Sequence, residues 1–69
     1  MRYKVRAPDE RAYEALLRAL SDDEAVEVFA ASPRRRIIGT GELPEPARAE
    51  IRACGGTISE DFRYDLEAP

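Results

Sequence analysis

From Thr57 to Leu66 the chain alternates. Ile58, Phe62, Tyr64 and Leu66 fall on one side, and Thr57, Ser59, Asp61, Arg63 and Asp65 on the other. A helix would scatter these residues around its axis. A strand flips its side chains at every step and gathers the apolar ones onto one face. Such a strand must join a sheet that is covered on one face and open on the other. Glu60 interrupts the apolar side and is expected at a sheet end or margin. The opposite end of the chain repeats the pattern, with Tyr3, Val5 and Ala7 alternating with Arg2, Lys4 and Arg6.

The cover for that sheet is written between the two strands. Asp9 is placed to cap a helix, with Glu10 in its first turn where the dipole favours negative charge. Tyr13, Leu16, Leu17 and Leu20 then recur at helical spacing and make one apolar stripe, which closes at Ser21-Asp22-Asp23. Ala25 to Ala31 reads as a second strand, with Val26 and Val28 turned to the core. Ser32-Pro33-Arg34 is a turn, and Arg35 to Gly41 returns as a third strand whose glycines suggest a bulge or a close backbone approach. Pro44-Glu45-Pro46 opens a second helix with Ala47, Ile51 and Cys54 on its narrow apolar face, and Gly55-Gly56 ends it. The order is βαββαβ. With right-handed crossovers it gives an α+β ferredoxin-like plait: one four-stranded antiparallel sheet, two helices on one face, central first and third strands. The chain is a single domain, 1–69, with a short tail at 67–69.

Composition narrows the chemistry. The chain has 69 residues, no histidine and one cysteine, Cys54. These counts exclude an internal disulfide, a Cys/His zinc site, a Ser-His-Asp triad and a histidine base. No nucleophile is assembled with a base, so the chain reads as a non-enzyme that needs no cofactor and no metal. Its 14 acidic residues outnumber its 11 basic ones. That balance, with no aromatic on the outward parity of the first strand, argues against nucleic acid as partner. No run approaches the roughly 18 apolar residues of a membrane span. With Met1 as the start and no apolar leader, the expectation is a cytoplasmic protein without membrane contact.

Several clusters invite a sharper reading and are better served by a plainer one. Arg34-Arg35-Arg36 could hold an anion or an acidic partner, but reads as a solvated hairpin turn that discourages edge pairing. Asp22-Asp23-Glu24 lacks the alternating ligand spacing of a calcium loop and reads as a solvated loop. Cys54 lies on an apolar stripe with no basic neighbour on it and reads as a small buried hydrophobe.

Four stretches carry a resemblance. They are Arg2-Tyr3-Lys4-Val5, then Ile37-Ile38-Gly39-Thr40-Gly41-Glu42-Leu43, then Pro44 to Arg52 as a helix of alternating alanine and charge, and Gly56-Thr57-Ile58 opening the last strand. In order, length and texture the chain resembles the propeptide domain of subtilisin-like serine proteases and the small proteinase inhibitors of that fold. The resemblance implies a non-catalytic protein-binding module. The outer sheet face, with Lys4, Arg6, Asp61 and Asp65, would dock on a subtilisin-like protease. The tail Leu66-Glu67-Ala68-Pro69 would lie in its cleft as an added strand. On this parity Lys4 and Arg6 would pair across to Asp61 and Asp65. The alternative from another class is a small regulatory or assembly module that forms a homodimer through the edge of the fourth strand.

Overall fold

The computed structural model describes residues 2–60. Its elements run β1 (Tyr3–Arg6), α1 (Glu10–Asp22), β2 (Val28–Ser32), β3 (Ile37–Thr40), α2 (Glu45–Ala53) and β4 (Thr57–Glu60). The strands form one sheet in the order β2-β3-β1-β4, and every pairing is antiparallel. This is the expected ferredoxin-like plait, with β1 and β3 in the middle.

Register fixes which residues meet. Tyr3 lies opposite Thr40 and Glu60, and Val5 lies opposite Ile38 and Ile58. This row faces the helices, where Val5, Ile38 and Thr40 are fully buried with Leu16, Leu20 and Ile51. Tyr13, Ala47, Leu43 and Val26 complete the core, and Leu17, Cys54 and Ile58 pack against its margin. Burying one leucine-sized side chain favours folding by about 1.5–3 kcal/mol, so a few residues on each helix decide whether this small sheet closes.

The helix ends follow their sequence signals. The Asp9 carboxylate accepts a hydrogen bond from the Ala12 N–H at 2.8 Å. Replacing such a cap by alanine costs about 1 kcal/mol. At the far end of α2, Gly55 has φ +81° and its N–H reaches the Arg52 carbonyl at 3.0 Å, while the Gly56 N–H reaches Ile51 at 2.9 Å. That double bond pattern with a left-handed residue is a Schellman cap. Gly56 is needed for a second reason. A Cβ there would meet Ile51 Cγ2 at 3.0 Å and the Arg6 carbonyl at 3.1 Å.

Several strand boundaries and one burial differ from the sequence expectation, β1 opening at Tyr3 rather than Arg2 and β2 running on to Ser32 past the expected Ala31. Strand β2 begins at Val28 rather than Ala25, because Asp23 captures the chain in a turn. Its carboxylate accepts the Ala25 N–H at 2.9 Å and its carbonyl accepts the Val26 N–H at 3.0 Å. Strand β3 begins at Ile37 rather than Arg35, since the Arg36 N–H closes a turn on the Pro33 carbonyl at 3.3 Å and Arg36 itself sits at φ 58°. It ends at Thr40 rather than Gly41, whose N–H turns to the Glu27 carbonyl at 2.9 Å. Strand β1 ends at Arg6, although the Ala7 N–H continues toward the Arg36 carbonyl at 2.9 Å. Cys54 is half-buried at the core margin rather than enclosed. The irregularity suggested by the glycines of β3 is present, but the extra residue belongs to β2. Val28 faces Thr40 and Ala30 faces Gly39, leaving Phe29 as the bulged residue. Of the expected long last strand, Thr57–Glu60 is described, and 61–66 lies outside the described residues.

Candidate protein-binding surface

Both helices cover the same face of the sheet, so among the described residues the other face is an open shelf. Its residues are set by alternation from the buried row. Lys4 lies between Gly39 and Ser59, and Arg6 lies between Ile37 and Thr57. Ala30 and Ser32 extend the shelf on β2, opposite Gly39 and Ile37. None of these described residues is acidic. The direct cross-strand neighbours of Lys4 and Arg6 on β4 are hydroxyls, Ser59 and Thr57, and the expected pairing with Asp61 and Asp65 falls on residues outside those described. Among the described residues no carboxylate is paired with either cation. Asp61, Asp65, Leu66, Glu67, Ala68 and Pro69 lie outside the described residues.

The cationic character extends to the Arg6 end of the shelf. The Ala7 N–H bonds to the Arg36 carbonyl at 2.9 Å, which brings the exposed turn Arg34-Arg35-Arg36 to the Arg6 end. At the other end the Arg2 guanidinium lies 4.9 Å from the centroid of the Phe29 ring. Phe29 is 48% exposed, and its ring would touch a Cβ on Gly41 at 3.4 Å, so the absence of a side chain at Gly41 makes its seat. Sequence reading did not single out Phe29, although turning Val28 to the core already places its neighbour outward, and Gly41 facing it was a second signal.

The β4 edge offers a second feature. A groove of about 490 Å³ runs between α2 and β4, lined by Tyr3, Arg48, Arg52, Gly56, Ile58 and Glu60 among others. Arg48 is half-buried in it. Its Nε donates to the Leu43 carbonyl at 2.8 Å, and its guanidinium lies 5.2 Å from the Tyr3 ring centroid. Glu45, one turn before Arg48, gives its carboxylate instead to Arg52 at 3.0 Å. Sequence reading placed Arg48 simply among the alternating charges of α2. Asp23, read as part of a solvated acidic loop, is a turn residue held by its own hydrogen bonds.

Among the described residues no helix is long and apolar enough to cross a membrane. The fold and the shelf define a small α+β plait whose described residues leave one sheet face covered and the other charged and open. Comparison with protein-family models, with curated proteins and with solved structures finds no match.

Proposed function

We propose that this chain is a non-catalytic protein-binding module that docks through the open face of its sheet onto an acidic surface of its partner. One observation carries the reading: Lys4 and Arg6 stand on the uncovered face beside serine, threonine, glycine and isoleucine, with no acid among its described strand residues. In a chain of net charge -3, cations gathered on one face are a field aimed outward. The narrower form of the proposal is a propeptide-type inhibitor of a subtilisin-like protease, with Leu66 to Pro69 delivered to the cleft and with Asp61 and Asp65 joining the docking face. The second reading is self-association through β4, supported by its place at the margin of the sheet.

Inhibition assays on a panel of subtilisin-like proteases test the narrower form. They use the intact chain, the Lys4→Glu/Arg6→Glu double variant and a chain lacking Glu67–Pro69. Inhibition is expected from the intact chain, with a weakening of at least about tenfold in the double variant, because reversed charge slows encounter and repels an acidic surface. The deletion should abolish inhibition while preserving the melting temperature. No inhibition across the panel removes the inhibitor form and shifts weight to self-association, which sedimentation over a concentration series then reads.

A further inference from the structure

We propose that the groove between α2 and β4 receives an extended peptide bearing a glutamate, whose carboxylate is held by Arg48. This surface is separate from the open sheet face, so the proposal stands whether or not that face docks a partner.

The first support is the state of Arg48. An arginine on a helix surface is normally a mobile side chain, and ordering it on binding opposes affinity. Arg48 is already ordered by its Nε bond to the Leu43 carbonyl and by the Tyr3 ring under its guanidinium. Those contacts use the Nε edge and one face of the plane. The two terminal nitrogens, a fork suited to a carboxylate, have no acceptor among the described residues. The nearest helix carboxylate, Glu45, is engaged by Arg52.

The second support is the strand beside it. β4 is the last strand of the sheet, pairs with β1 without a register shift, and carries neither proline nor bulge over Thr57–Glu60. Its outward backbone groups can accept a further strand. Side chains of that strand would alternate, and those on the helix side would enter the groove over Ile58.

Reach selects the acid. Neighbouring strands lie about 4.8 Å apart, so an added strand runs about 9–10 Å from β1, whose Tyr3 carries the guanidinium. Glutamate, one methylene longer than aspartate, spans that gap better. Glu60 lines the same groove and is not ion-paired with Arg48, so its charge opposes an incoming carboxylate.

The test is titration of the full chain, at low salt, with three capped peptides of alternating threonine and valine. They carry a central glutamate, aspartate or glutamine, and binding is followed by amide chemical shifts. The glutamate peptide should bind about tenfold tighter than the glutamine peptide, as expected for charge-assisted bonds, with aspartate between them. Shifts should centre on β4 and α2. Arg48→Gln should erase the difference between the glutamate and glutamine peptides. Glu60→Gln should tighten the glutamate peptide and leave the glutamine peptide unchanged. That exposed substitution keeps the test valid even if Arg48→Gln loosens the fold. Equal binding of all three peptides overturns the role of Arg48 while leaving strand addition intact. No binding, or charge-dependent shifts centred on Lys4 and Arg6, overturns the site.

Discussion

Tyr13 is a residue at odds with its surroundings. It is 3% exposed, and its hydroxyl is a buried polar atom with no hydrogen-bond partner among the described residues. Thr40 is the contrast: fully buried, it donates its Oγ1 hydrogen bond to the Gly41 carbonyl at 3.1 Å. A buried group left unbonded costs about 1–3 kcal/mol, and removing it with shape retained recovers part of that. Tyr13→Phe should therefore leave stability unchanged or raise it by about 1 kcal/mol, a rise of about 4–8 °C in melting temperature for a domain of this size. Thermal denaturation by circular dichroism checks this, and a clear drop would mean that the hydroxyl is bonded. The periodicity of α1 assigned Tyr13 to the core, but no sequence pattern says whether a hydroxyl finds an acceptor. Arg48 has the same lesson: its position on α2 was legible, while its hold on Leu43 and Tyr3 depends on how the chain enters the helix.

At the scale of elements, the two margins of the sheet differ. On β2 the bulge at Phe29 and the following Pro33 blunt the edge, whereas β4 pairs regularly with β1 throughout Thr57–Glu60. Consecutive strand residues point their N–H groups in opposite directions, so of Ser59 and Glu60 one donates toward β1 and the other outward. Proline scanning separates them. One of Ser59→Pro and Glu60→Pro should destabilise the fold by about 1–3 kcal/mol through a lost ladder bond. The other should melt like the unsubstituted chain yet fail to add a strand or self-associate. Melting curves and sedimentation of the pair decide the matter, and two unperturbed melts would remove β4 from the ladder. Element order was legible because period 2 in β1 and β4 and period 3.6 in α1 and α2 each demand a buried face. Boundaries around β2 and β3 were not. There, Asp23 and Pro33–Arg36 spend backbone groups on turns before pairing begins, a competition that local propensity does not resolve.

Charge is unevenly spread over the whole molecule. The chain totals -3, yet the described part of its outer face from Lys4 and Arg6 to the Arg34–Arg36 turn presents cations, with the Glu27 side chain near Gly41 at the Phe29 end. Acids such as Glu10, Glu14 and Glu50 belong to the helices on the other side. Helices packed on a sheet lie about 10 Å from it, and at 0.1 M salt the Debye length is also about 10 Å. Near that ionic strength a surface meeting the open face feels the cations strongly and the helix acids weakly. At much lower salt the full negative charge is felt as well. The protein should therefore be retained on a sulfonate cation exchanger at pH 7 and about 50–100 mM salt, despite a sequence pI near 4.9. Lys4→Glu/Arg6→Glu should pass through the column under the same conditions. Arg11→Glu/Arg18→Glu, which makes the same change in total charge on exposed α1 positions, should still be retained. Equal elution of the two double variants would show that net charge governs, and the open face would lose its standing as the docking surface.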